Sequence, residues 1–377
     1  MPGKVSHCAL ACITTAKAAS PPCGWTRSRC KYVHKPHPPA RLWLPLIRKS
    51  ANASVAQAAV APTLSIDEAL PQRPLGLAVL SEPLRAVDAA RIDALALDAQ
   101  HRRVISVSKT TLTIRDAITG RELLSRELPG RVSRLLLQAA SRQIVALLAE
   151  QGELHLLDGD GSTLAVVGKL GYPANAVEGD GRLYVADSAG KRILVLDGAS
   201  LAVLSQRELP AAPYALAYDP TARRLYVGQM GTGQLLALDA DSLETIAEVA
   251  LGGLGYPQDL ALDTATHSLY VAHALSPKYG ALSVIDTASM TVRRTRWGNQ
   301  EQSMLGSDFV HLDTARDTLF VTHSGGCLVL ASIDLTVRTA LALDPEVITG
   351  MAGDTLEGIL YLTGAGGQLW TWQAATP

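Results

Sequence analysis

The stretch Arg182-Leu-Tyr-Val-Ala186, followed closely by Ile193-Leu-Val-Leu-Asp197, decides how this chain folds. Two short runs of leucine, β-branched and aromatic residues, separated by Asp, Ser and Gly, read as neighbouring strands joined by a tight turn. The first run returns as Arg224-Leu-Tyr-Val-Gly228, Ser268-Leu-Tyr-Val-Ala272, Thr318-Leu-Phe-Val-Thr322 and Ile359-Leu-Tyr-Leu-Thr363. Its aromatic anchors Tyr184, Tyr226, Tyr270, Phe320 and Tyr361 are spaced by 42, 44, 50 and 41 residues. Upstream, Arg103-Val-Ile-Ser-Val107 and Gln143-Ile-Val-Ala-Leu147 continue the series in weaker form, which makes seven copies.

The second run returns as Leu112-Thr-Ile-Arg-Asp116, Leu154-His-Leu-Leu-Asp158, Leu235-Leu-Ala-Leu-Asp239 and Leu282-Ser-Val-Ile-Asp286, with Cys327-Leu-Val-Leu330 and Leu369-Trp-Thr-Trp372 in the last two copies. Each copy also has an upstream partner, such as Asp259-Leu-Ala-Leu-Asp263, and most have a fourth apolar stretch, such as Thr245-Ile-Ala247. Four short strands per ~40 residues, with no sustained helical period, predict an all-β chain whose units stack around a ring as a seven-bladed β-propeller of four-stranded blades. The expected blades are 92–130, 131–173, 174–213, 214–257, 258–306, 307–348 and 349–377. Six or eight blades also accommodate the degenerate early copies. The last copy holds only three strands, and Leu75-Gly-Leu-Ala-Val-Leu80 is unclaimed, so this N-terminal strand is expected to complete the last blade.

The Leu-Tyr-Val phrase, the Val284-Ile-Asp-Thr287 phrase and the Gly-Tyr-Pro loops resemble the YVTN family of seven-bladed propellers, which includes YncE-like proteins, over residues 74–377. The Thr-Asn ending of that phrase is replaced here by Ala-Asp, Gly-Gln, Ala-His and Thr-His. The resemblance implies a scaffold outside the cytoplasm. Similar propellers include lactonases and the heavy subunits of amine dehydrogenases, so function has to be argued from a site.

Composition narrows the classes. The 377 residues carry 34 Lys+Arg and 35 Asp+Glu, for a net charge of -1. That balance gives no basic footprint for nucleic acid. No apolar run reaches the ~18 residues needed to span a bilayer. The charge is unevenly placed: residues 1–66 hold nine basic residues and no acid, and residues 67–377 form the propeller. The first segment also holds Cys8, Cys12, Cys23 and Cys30. It reads as a disordered basic tail, either a targeting segment or a start assigned too far upstream. A zinc knuckle drawn from these cysteines with His34 and His37 fits poorly, because the Cys23/Cys30 spacing is too wide. An extracytoplasmic location follows from the resemblance, with the cytoplasm as the alternative.

Asp116, Asp158, Asp197, Asp239 and Asp286 each end a strand where a turn begins, and capping of their own turns accounts for them. The residues just after the anchor strand are more varied: Asp187, Gln229, His273 and His323. On one face of a propeller these would meet the loops between blades, with Tyr172, Tyr256, Gln258 and Asp308. Aromatic walls with a few polar groups suit a ligand pocket or a protein-docking rim. These eight residues form the expected ligand or partner face, with no catalytic residue, metal or cofactor assigned. His311, in the innermost strand of blade six, reads as a buried histidine, and Trp370 and Trp372 as packing between blades. The chain is expected to be a monomeric, non-catalytic binding scaffold for a protein or small molecule. The alternative is a lactonase-like hydrolase or a dehydrogenase heavy subunit using the same face.

Overall fold

Each repeat forms an antiparallel sheet whose strands follow one another in space as they do in sequence. In blade three these are Pro173–Gly179, Arg182–Asp187, Arg192–Asp197 and Val203–Glu208. Val177 lies opposite Tyr184, which lies opposite Val195. The two middle strands are buried almost throughout and the outer one is largely exposed. A strand covered on both faces reads as a continuous apolar run, which is why Leu-Tyr-Val and Ile-Leu-Val-Leu show no alternation. The computed structural model describes residues 91–377 except 275–279, 300–303, 344–346 and 374–377, together with the backbone of Leu77–Ala78. Residues 1–66 lie outside the described residues.

Seven such sheets are present. Their innermost strands are Ala94–Asp98, Arg134–Leu137, Pro173–Gly179, Pro213–Asp219, Pro257–Asp263, Val310–Asp313 and Ile348–Asp354. Each touches the next, and the last touches the first, so the ring is closed. The core says the same. It divides into seven apolar clusters, each drawn mainly from two adjacent blades. The closing cluster joins Leu95, Val104 and Ala117 of blade one to Tyr361 and Leu369 of blade seven. The protein is therefore an all-β, seven-bladed propeller.

Its closure differs from expectation in one detail. Leu77–Ala78 pairs in parallel with Val337–Ala342, the outer strand of blade six, placing Leu77 opposite Ala340 and Ala78 opposite Leu341. Blade seven has three strands among the described residues: Ile348–Asp354, Ile359–Gly364 and Leu369–Gln373. The apolar seam between blades seven and one already closes the ring, and Arg102 reaches Glu357 across it at 3.3 Å. No borrowed strand is needed to bring the ends together. Residues 75–76 and 79–80 of the expected strand lie outside the described residues.

The anchor tyrosines explain themselves in this frame. The Tyr184 hydroxyl donates to the Ala240 carbonyl of blade four at 3.2 Å, and the Tyr270 hydroxyl to the Ser332 carbonyl of blade six at 3.0 Å. The ring fills the seam while the phenol ties the next blade's outer turn. Trp372 packs edge-on against Phe320 of blade six, with centroids 5.6 Å apart.

The strand-ending aspartates are turn residues, as expected. Asp197 accepts from Ala199 N–H at 3.2 Å, Ser200 N–H at 2.8 Å and the Ser200 hydroxyl at 2.7 Å. Asp239 and Asp286 repeat the pattern with Ser242 and Ser289. The residue after that serine is forced left-handed: Leu201 has φ 57°, Leu243 φ 60° and Met290 φ 52°. A branched residue resists this conformation, but Leu201 and Leu243 are buried in the seam and their N–H groups close the turn onto Asp197 and Asp239.

Candidate functional site

The strand order gives the ring two distinct faces. One, here the turn face, carries the two hairpin turns of each blade, those following the first and third strands. The other, the loop face, carries the second-to-third strand turns and the connections between blades. Asp187, Gln229, His273 and His323 end their strands on the loop face, as expected. They do not line an open surface. Asp187, Gln229 and His273 are each 0% exposed, and His323 is half-buried. The strand end lies beneath the loops rather than beside them, which the sequence pattern cannot show.

Asp187 shows what this position does when fully satisfied. It accepts from Gly171 N–H at 3.0 Å, Tyr172 N–H at 2.8 Å, Gly190 N–H at 3.1 Å and Arg192 Nε at 2.9 Å. Burial raises its pKa, but these donors outweigh burial and hold the carboxyl below its usual range. One carboxylate thus fixes both the interblade loop and the hairpin turn. The fit requires glycine at 190, where a Cβ would stand 2.3 Å from Oδ2 of Asp187. Tyr172, tied to Asp187 through its backbone, leaves its side chain outward at 39% exposure.

The equivalent residues on the next blades are less satisfied. Both amide atoms of Gln229 are buried without a hydrogen-bond partner among the described residues. Nε2 of His273 lies 3.0 Å from the Ser283 hydroxyl, which in turn meets the Thr295 hydroxyl at 3.2 Å, while Nδ1 has no partner among the described residues. Burial pushes the His273 imidazole down to about 3, so it is neutral at physiological pH. Its ring lies along blade five toward the third strand. His323 has Nδ1 at 3.1 Å from the Ser324 carbonyl and Nε2 buried without a partner among the described residues. Burial lowers this imidazole too, against the pull of that carbonyl. Among the described residues, no group of three or more His, Cys, Asp or Glu side chains is placed to hold a metal ion.

Tyr256 and Asp308 are half-buried on the connections into blades five and six, and Gln258 is half-buried at the start of the inner strand of blade five. The second-to-third strand turn of blade five and the connection from blade five to blade six include residues 275–279 and 300–303, which lie outside the described residues. His311 is stacked 6.1 Å from Phe320 and lies so close to blade seven that a Cβ on Gly353 would stand 1.9 Å from its Nε2. It is a packing residue, and burial lowers its pKa.

Two residues outside the expected set meet at the ring centre. Arg134 begins the inner strand of blade two, and Asp259 lies near the start of the inner strand of blade five. Nη1 of Arg134 stands 3.9 Å from Oδ1 of Asp259, and the side chains are 24% and 19% exposed. Blades two and five are three places apart, so this approach crosses the central channel near its loop-face mouth. Oδ2 of Asp259 accepts from Val310 N–H of blade six at 3.2 Å. Burial raises the Asp259 carboxyl, against Arg134. The ladders place Asn175 at the same level as Arg134 and Asp259, with Ala94, Ala215 and Gly350 supplying little or no side chain there. Registering the seven repeats against one another would have exposed Arg134 as the one basic residue at this level.

No protein-family model matches this chain, and no curated protein matches it either. No helix among the described residues is long and apolar enough to cross a membrane.

Proposed function

We propose that this propeller is a non-catalytic binding scaffold of YVTN type that docks a small ligand or a protein partner on its loop face. What carries the reading is the set of polar side chains beneath that face: the Gln229 amide, Nδ1 of His273 and Nε2 of His323 are buried with no hydrogen-bond partner among the described residues. Buried polar atoms are ordinarily paired, and exceptions concentrate where something else supplies the partner. The exposed ring of Tyr172 and the half-buried Tyr256 and Gln258 add aromatic and amide contacts of the kind found at binding surfaces. An extracytoplasmic location belongs to the same reading, through the resemblance of the repeats and the acid-free basic tail.

The test compares the wild-type chain with a Tyr172→Ala/Tyr256→Ala/His323→Ala variant, which spares the buried Asp187 and His273. A thermal-shift screen of small molecules and a crosslinking capture of proteins are run on both. Binders of the wild type should lose at least tenfold in affinity for the variant, while melting temperature stays within a few degrees. Binders that retain full affinity for the variant would move the site off this face.

A further inference from the structure

We infer that the loop-face mouth of the central channel is a site for a small zwitterion, whose carboxylate is held by Arg134 and whose ammonium is held by Asp259. This names a ligand class for the loop face and so rests on the reading above.

The argument begins with how poorly the two charges are used. Elsewhere in the ring, arginine and aspartate meet at hydrogen-bonding distance: Arg192 and Asp187 at 2.9 Å, Arg182 and Asp241 at 2.8 Å, Arg223 and Asp180 at 2.8 Å. Arg134 stands 3.9 Å from Asp259, beyond hydrogen-bond reach. A guanidinium carries five donors in a fixed plane, and this one, about three-quarters buried, donates no hydrogen bond to protein among the described residues. Asp259 spends one oxygen on Val310 N–H and leaves Oδ1 toward Arg134. A strut selected to brace the ring would close the gap and form the bidentate pair that arginine favours.

The class of ligand follows from the signs. A simple anion drawn to Arg134 would lie beside the Asp259 carboxylate, with Asp308 also close enough to be felt there. A simple cation drawn to Asp259 would lie beside the guanidinium. Like charges this close, partly shielded from water, oppose either ligand. A molecule bearing both signs a few ångströms apart satisfies both groups, with its carboxylate matching the guanidinium fork. At this level Ala94, Ala215 and Gly350 supply little or no side chain, Asn175 adds an amide, and Phe309 of blade six is the one aromatic residue. A free amino acid has this chemistry.

The experiment uses the full chain and measures binding of glycine, L-alanine and L-glutamine by calorimetry and thermal shift, with acetate and methylammonium as single-charge controls. At least one amino acid should bind and raise the melting temperature by a few degrees near 100 times its Kd. Arg134→Gln and Asp259→Asn should each weaken that binding at least tenfold. Arg134→Lys, with charge but no fork, covers the case in which Arg134→Gln does not fold, and should also bind more weakly. No amino acid binding to the folded wild type would overturn the inference. So would acetate or methylammonium binding as well as the zwitterion, or variants that bind undiminished. The rim variant above leaves Arg134 and Asp259 in place, so failure here and failure of loop-face docking are read separately.

Discussion

The turn face and the loop face of this ring are made by the same strands and use their polar groups differently. On the turn face every neighbouring pair of blades is tied by a side chain. Arg142 binds Asp98 between blades two and one, and Gln138 donates to the Gly198 carbonyl between two and three at 2.9 Å. Arg182 meets Asp241 between three and four at 2.8 Å, and Arg224 donates to the Thr287 carbonyl between four and five at 3.1 Å. Tyr270 serves five and six, Arg316 reaches the Thr355 carbonyl of blade seven at 2.9 Å, and Arg102 meets Glu357 of blade seven. On the loop face Asp93 and Asp187 are comparably engaged, Asp93 accepting from Lys109 N–H at 2.8 Å and from Arg131 at 2.9 Å, while Gln229, His273 and His323 keep buried atoms without a partner among the described residues, as Gln143 and Tyr226 do on the turn face. The turn face ties every neighbouring pair of blades through a side chain, whereas the ion-pair ties described on the loop face centre on Asp93 and Asp187. Binding sites on repeat scaffolds commonly separate in this way, because loops vary while the packed strands cannot.

Substitutions on the two faces can break or sharpen that contrast. The largest effect is expected at Asp187→Ala, which strands Arg192 and three backbone donors beneath the loop face. A loss of about 3 kcal/mol in urea unfolding is expected. A loss no greater than that of a turn-face aspartate would mean that Asp187 is not a keystone.

Acid should separate the faces next. His273 is held near 3 when folded and titrates near 6.5 when unfolded, so between these values the unfolded chain binds a proton that the folded one refuses. Its contribution is complete above pH 6.5 and declines as pH falls toward 3. His273→Gln should flatten the stability profile across that window. On the turn face, the Ser289 N–H, with the Arg293 side chain, holds Asp286 down to about 2 from 3.8. That stability is present above pH 3.8 and is lost as pH falls toward 2, so Asp286→Asn should change the profile only below about pH 4. A wild-type profile flat from pH 6.5 to 4 would remove the claim about His273.

A smaller effect is expected from Asp219→Ala. Asp219 accepts from Thr221 N–H at 2.8 Å and Ala222 N–H at 2.9 Å, and losing this single turn cap should cost about 1 kcal/mol by the same unfolding measurement. The smallest belongs to Arg223→Ala. Arg223 is half exposed and pairs with Asp180 and Asp241. Exposed pairs contribute little and are screened, so its melting temperature should match the wild type within error at 0.5 M salt.

Much of the architecture was legible because it repeats. The Leu-Tyr-Val spacing gave the blade count, and the terminal aspartates read as turn caps, as Asp197 shows with Ser200. Trp372 was read as interblade packing and packs against Phe320 of blade six, whereas His311, read as a buried histidine, is half-buried and stacks on Phe320. The site was less so. Tyr172, Asp187, Gln229 and His273 were expected together on a ligand or partner face, and Asp187, Gln229 and His273 are buried beneath the loops. A strand's last residue looks the same in sequence whether a loop folds over it or away from it. Arg134 gave no local signal at all, because its partner is 125 residues away in the chain.

By itself, the sequence determined the all-β class, the number of units and the chemistry of their turns. These depend on contacts within a repeat or between consecutive ones, and periodicity records them seven times over. Only the tertiary structure decided where Leu77–Ala78 pairs, which strand ends are covered, and that Arg134 faces Asp259 across the channel. Those outcomes depend on ring closure, which brings together residues whose separation along the chain carries no trace of their distance in space.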